Sequence, residues 1–240
     1  MAKALVTGAT SGIGRAIAIA LQRAGHDVTA VGRQPEALAE LAERGMTPLR
    51  LDLVDGQAVK AALADGDFDI LINNAGVISP LVAFCDSDPD DTDRLVSINL
   101  TSTLRVTRMV APGMRERGRG HIFFTGSTAG HGPFANLAAY GATKAALGSF
   151  AQALRLEMGG YGVRVTEIVA GRVQTNLYGD ILSVDARADM YAGAQAVQPD
   201  DLAAMVLAAL SLPKSANVSR MDILPTFQAS GTGNSRRNER

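Results

Sequence analysis

Apolar and polar positions along this chain follow two rhythms. Short apolar runs have the length and β-branched content of strands buried on both faces. They are Lys3 to Thr7, His26 to Gly32, Thr47 to Leu51, Phe68 to Ile72, His121 to Thr125, Val163 to Val169 and Ala216 to Leu224. Between them, apolar residues recur three or four apart, as on an amphipathic helix. Those stretches are Arg15 to Arg23, Pro35 to Arg44, Gln57 to Leu63, Thr92 to Arg117, a segment through Tyr140 to about Glu157, and one from Pro199 to Leu210. Strand followed by helix, repeated from the start of the chain, predicts a parallel, doubly wound sheet of seven strands with helices on both faces. The expected domain is 1–227, and the polar stretch 228–240 is expected to be a disordered tail. Residues 77–93 read as a loop with an acidic run. The stretch after the sixth strand, up to about Val197, reads as a mobile lid over a ligand.

Composition narrows the function. Over 240 residues, 23 Lys and Arg nearly balance 24 Asp and Glu, a net charge of -1, so neither nucleic acid nor an anionic membrane is expected as partner. The one cysteine, Cys85, excludes an intrachain disulfide and a thiolate metal cluster, and His26, His121 and His131 lack metal-ligand spacing. No apolar run reaches spanning length, and the run before the first glycine is too short for a signal peptide, so the expectation is a cytoplasmic protein.

The chemistry sits at the ends of the predicted strands. The first strand runs into Gly8-Ala9-Thr10-Ser11-Gly12-Ile13-Gly14 and then a helix. Glycines there let the backbone approach a pyrophosphate, and the free N–H groups of the first helical turn hold it. The second strand ends in Gly32-Arg33, where an NAD-binding chain would carry an acid for the ribose diol. A small residue followed by arginine suits a 2′-phosphate, and hence NADP(H). Arg15 is a second candidate phosphate contact. Asp52 either accepts a hydrogen bond from adenine or caps the helix beginning near Asp55; the residues alone leave both open. Asn73-Asn74-Ala75-Gly76 follows the fourth strand, Asn99 interrupts an apolar helix face, and Ser127 follows the fifth strand. Tyr140 and Lys144, four apart, share a helix face, so the ammonium should lower the phenol pKa and make an acid/base pair. No G-x-S-x-G elbow accompanies Ser127, which argues against a hydrolase.

Taken together, Thr7-Gly8-x-x-x-Gly12-Ile13-Gly14, Asn73-Asn74-Ala75-Gly76, Asn99, Ser127 and Tyr140-x-x-x-Lys144 resemble the short-chain dehydrogenase/reductase family over about residues 3–226. The resemblance implies a single-domain Rossmann fold. It implies that Tyr140 is the general acid/base, that Lys144 lowers its pKa and holds the nicotinamide ribose, that Ser127 orients the substrate oxygen, and that Asn99 helps hold a water linking Lys144 to solvent. By the same resemblance, NADP(H) contacts Gly8, Thr10, Ser11, Gly12, Ile13, Gly14, Arg33, Asp52, Leu53, Asn74, Ala75, Gly76, Tyr140, Lys144, Gly171, Val173 and Thr175. The family usually carries Pro-Gly where this chain has Ala170-Gly171, which frees a backbone angle at the start of the lid.

The implied activity is hydride transfer between a ketone and a secondary alcohol. The C-terminal "NVSRMDILPTFQ" is similar to that of small reductases acting on hydroxy acids and short polar alcohols, including 3-hydroxy acid and serine dehydrogenases, which is the alternative. Further alternatives are a nucleotide-sensing protein without catalysis and a structural dimerisation protein. Substrate-pocket candidates are His131, Phe134, Arg172, Tyr178 and Tyr191. The expected partners are a small carbonyl or alcohol substrate and copies of the chain itself, as homotetramer or homodimer, with the two long helices paired.

Overall fold

Seven strands form one sheet, β1 (Lys3–Thr7), β2 (Asp27–Gly32), β3 (Thr47–Arg50), β4 (Ile70–Asn73), β5 (Gly120–Ser127), β6 (Val163–Ala170) and β7 (Arg220–Ile223). All are parallel, in the order β3-β2-β1-β4-β5-β6-β7. The computed structural model describes residues 1–64, 66–192 and 196–227, so the expected tail at 228–240 lies outside the described residues.

Side-chain alternation along the strands explains the layers. Ala4 and Val6, Val28 and Ala30, Ile70 and Ile72, and Phe123 face α1 (Gly12–Arg23), α2 (Pro35–Glu43) and α8 (Pro199–Ser211). Leu5, Val31, Leu71, Ile122 and Phe124 face the other way, onto α3 (Gly56–Leu63), α5 (Ser102–Arg117) and α6 (Ala138–Gly159). A strand buried on both faces must be apolar at every position, which is why these runs read as continuous rather than alternating. The result is the expected Rossmann fold, doubly wound with helices on both faces. Edge strand β3 is mostly exposed and contains Pro48.

Element ends follow local chemistry. Pro35 opens α2, Asp55 caps α3 by accepting from the amides of Gln57 and Ala58, and Pro199 with a Gln198/Asp201 capping box opens α8. The long helix expected from Thr92 instead comes in three parts: α4 (Pro89–Leu95), a π-helical stretch Val96–Thr101 centred on Asn99, and α5. The segment after β6 contains a short helix, α7 (Val184–Tyr191), that the sequence pattern did not reveal. Its face carries no buried residue, so no apolar period marks it. Among the described residues no helix is long and apolar enough to cross a membrane.

Candidate active site

Sheet order reverses direction between β1 and β4, and a crevice opens there at the strand tips. It is a cleft of about 1040 Å³. One end carries Gly8, Thr10, Ser11, Gly12 and Ile13 of the glycine turn, with Arg33, Asp52 and Leu53. Asn74, Ala75, Gly76, Gly171, Val173 and Thr175 line it further along, and Ser127, Tyr140 and Lys144 complete it.

The glycine turn is built for close approach. Gly8 and Gly12 have φ of 64° and 51°, conformations that side chains other than glycine's strain to adopt. Gly14 does not line the cleft but supports it. A Cβ there would lie 2.3 Å from the Gly8 carbonyl oxygen and 2.4 Å from Asn74 Nδ2. Thr7, to which the sequence assigned no role, ties the turn to the next strand. Its hydroxyl donates to the Ile72 carbonyl (3.2 Å) and accepts from the amides of Asn74 (3.0 Å) and Ala75 (3.1 Å). Asn74 Nδ2 returns a bond to the Thr7 carbonyl (3.2 Å). The N-terminus of α1, without a side-chain cap, and glycines without side chains suit a dinucleotide phosphate chain.

At the Asp52 end of the cleft, Asp55 and not Asp52 caps α3, so that alternative for Asp52 falls away. Asp52 accepts from the Val54 amide (3.0 Å) and lines the cleft. Arg33 is exposed and lines the cleft as well. Arg15 is corrected: its guanidinium pairs with Glu40 at 2.8 Å and lies outside this cleft.

At the reactive end, α6 presents Tyr140 and Lys144 on one buried face. The Ser127 side chain lies near enough to Tyr140 to favour its phenolate, and its hydroxyl accepts from the Ala129 amide (3.2 Å). Lys144 Nζ donates to the Thr125 carbonyl (2.8 Å) and stands 5.8 Å from the Tyr140 ring centroid. Burial lowers the Lys144 pKa to about 8, against which Glu167 pulls it up. The expected fall in the Tyr140 pKa is also corrected. Burial pushes this phenol well above its ordinary value, Ser127 offsets part of the rise, and nearby Tyr178 adds to it. Tyr140 packs with Ile78 and Leu95 in a small apolar cluster roofed by Leu81, Tyr178 and Ile181, and this desolvation is the largest cause of the rise.

Asn99 is fully buried behind the cleft. Its Oδ1 accepts from the Val77 amide (2.8 Å), and its Nδ2 donates to the Val77 carbonyl (2.9 Å) and to Thr143 Oγ1 (3.3 Å). The wide turn of the π-helix lets this side chain reach the strand tip. Among the substrate-pocket candidates, Phe134, Arg172 and Tyr178 line the cleft. His131 and Tyr191 do not: His131 Nε2 lies 2.8 Å from Glu167 Oε1, and the Tyr191 hydroxyl donates to the Thr175 carbonyl (3.2 Å). The sequence analysis passed over Arg94, on α4, and Arg187, on α7, which also line the cleft; neither carries a local signal that would have marked it.

Comparison with known proteins agrees with this geometry. The family model for short chain dehydrogenase matches residues 2–184. An uncharacterised short-chain type dehydrogenase/reductase of Sinorhizobium fredii is 44% identical over 230 residues, 95% of this chain and 93% of its own. The NADP-dependent 3-hydroxy acid dehydrogenase of Escherichia coli K12 is 34% identical over 236 residues, 94% of this chain and 95% of its own. The closed form of serine dehydrogenase complexed with NADP+ superimposes with a TM-score of 0.92 at 33% identity, covering 98% of this chain and 99% of that one. With a matching family model, matching relatives along nearly the whole length and the motif residues gathered in one cleft, the chain belongs to the short-chain dehydrogenase/reductase family.

Proposed function

We propose that the protein is an NADP(H)-dependent dehydrogenase that interconverts the hydroxyl of a small hydroxy acid or similar polar alcohol with the corresponding carbonyl. The reading is carried by the convergence of Ser127, Tyr140 and Lys144 beside the glycine turn in one cleft. Relatives named as NADP-dependent 3-hydroxy acid dehydrogenase, and the likeness to serine dehydrogenase, support the cofactor and the substrate class. Arg172 and Arg187 line the same cleft, with Asp91 (paired with Arg94) and Asp180 also on its wall, and an arginine there suits a substrate carboxylate.

Gly8 through Gly14, Asn74 to Gly76 and Thr175 would hold the dinucleotide, with Arg33 at the 2′-phosphate and Asp52 at adenine. Bound there, the nicotinamide supplies or accepts the hydride. The chain's own residues do the rest. Ser127 and Tyr140 hydrogen-bond the substrate oxygen and fix its orientation. In reduction, negative charge grows on that oxygen and Tyr140 gives it the phenolic proton. In oxidation Tyr140 takes the proton from the alcohol. The Lys144 ammonium makes the phenolate less costly, and the apolar cluster around Ile78 excludes water. Asn99 keeps the Val77 segment in place.

Tyr140→Phe should lower turnover by about 10²–10⁴-fold while NADPH binding, followed by nicotinamide fluorescence, stays within about threefold. Turnover equal to the parent enzyme's rejects Tyr140 as acid/base. A panel of 3-hydroxy acids, serine and neutral alcohols tests the substrate class: preference for neutral alcohols overturns the hydroxy-acid reading. No turnover of any member, with NADPH bound, would instead favour the nucleotide-sensing alternative. Assembly as a homotetramer or homodimer through α5 and α6 is supported by Leu156, which α6 leaves 72% exposed; sedimentation as a monomer rejects it.

A further inference from the structure

Glu167 is a buried acid in the middle of β6, only 1% exposed. Its carboxylate sits under α6 in a cradle formed by two glycines. A Cβ at Gly126 would lie 2.5 Å from Oε1, and one at Gly148 would lie 3.0 Å from it. Any other residue at either position would displace the acid. Both glycines adjoin the catalytic lysine. Gly148 is one helical turn beyond Lys144 on α6, and Gly126 follows Thr125, whose carbonyl receives the Lys144 ammonium. Oε1 is shared with His131 Nε2 at 2.8 Å, while Oε2 is buried without a hydrogen-bond partner among the described residues.

A carboxylate left this dry is strongly unfavourable unless positive charge compensates it. The charged or titratable groups around it are His131, from the turn after β5 and paired with it, and Lys144, from α6, which lies beyond ion-pair distance but feels its charge. Lys144 in turn meets Tyr140 on its own helix, Glu167 from β6, the neutral Asn99 amide near Gly76 from the π-helical stretch, and the Thr125 carbonyl from β5. Glu167 is thus the acid that acts on the one buried lysine of the chain.

We propose that Glu167, seated between Gly126 and Gly148 and shared with His131, is the counter-charge that holds Lys144 as an ammonium aimed at Tyr140. It is a positioning residue that acts through Lys144. The inference rests on the catalytic reading above, in which Lys144 makes the Tyr140 phenolate less costly.

The chain has four lysines, Lys3, Lys60, Lys144 and Lys214, so ¹³Cε labelling gives four signals to follow by NMR in the cofactor-free protein. Lys144 is identified as the signal absent from Lys144→Arg. Glu167→Gln should lower the Lys144 titration midpoint by about one pH unit and leave the other three in place. In the active enzyme, the acidic limb of kcat/KM for alcohol oxidation should move to higher pH, with Glu167→Asp recovering most of the shift. If Glu167→Gln does not fold, Gly148→Ala, whose Cβ would meet Oε1 at 3.0 Å and displace the acid, serves instead and should lower that midpoint by a smaller amount. A Lys144 midpoint unmoved in every folded variant overturns the proposal, even where activity falls. A parent enzyme that turns over no substrate refutes the catalytic reading, and the NMR titration still decides whether Glu167 governs Lys144.

Discussion

Replacing Asn99 with leucine tests whether the π-helical stretch is held by the side-chain bonds described above. Leucine matches asparagine roughly in size but can neither donate nor accept. The substitution removes two well-formed bonds to Val77, at 2.8 and 2.9 Å, and a longer one to Thr143 at 3.3 Å. A lost bond that strands its partner costs about 1–3 kcal/mol when the partner is buried. Val77 is only half-buried, so water recovers part of that, leaving about 1–2 kcal/mol for each Val77 group and little for Thr143. The sum, about 2–4 kcal/mol, corresponds to a Tm lower by roughly 5–15 °C for a domain of this size. Thermal melting followed by circular dichroism, without cofactor, reads it directly. Thr143→Val should lower Tm much less. A Tm for Asn99→Leu within about 2 °C of the parent would refute the assignment of these bonds as the clamp on the Val77 segment.

Three further outcomes are expected. His121 is buried against Thr166 and Phe123, and burial lowers its pKa from 6.5 to about 3. Above pH 6.5 it is neutral folded or unfolded and contributes nothing, but from 6.5 down to about 3 only the unfolded chain takes the proton. Stability therefore falls there by up to about 1.4 kcal/mol per pH unit, or about 2 kcal/mol by pH 5, and His121→Gln should flatten the dependence in urea melts. Gly14→Ala forces a Cβ onto the Gly8 carbonyl and should weaken NADPH binding at least about tenfold at a stability cost of about 1–3 kcal/mol, whereas Gly159→Ala, which meets nothing within 4 Å, should be neutral or stabilising; calorimetry distinguishes them. Arg33→Ala should raise the Kd for NADPH at least about tenfold and that for NADH less than twofold, and equal effects would show that Arg33 does not read the 2′-phosphate.

The sheet was legible in the sequence because its strands are apolar on both faces, and the core positions of the site because their spacing along the chain is local. Tyr140 and Lys144 share a helix face by periodicity alone. What could not be read depends on partners distant in sequence. Arg15 turns to Glu40, 25 residues on, and His131 to Glu167, 36 residues on. The π-helix depends on Asn99 meeting Val77, and no helical period announces that meeting. The direction of the Tyr140 pKa was misread for the same reason. The ammonium four residues away is visible in the sequence, but the apolar cluster that buries the phenol is assembled from the segment around Ile78, Leu95 of α4 and the segment after β6.

Pro48 has a consequence for how copies of this chain can meet. In a parallel ladder successive amides point to opposite sides, and the Leu51 amide points inward, to the Gly32 carbonyl. Counting back, Leu49 and Thr47 also face β2, while positions 48 and 50 face solvent. Proline has no hydrogen to offer, so the outer rim of β3 has one amide donor, Arg50, where an incoming strand would need two. The sheet is chemically blunted on that side, which disfavours the stacking of two copies through their β3 rims.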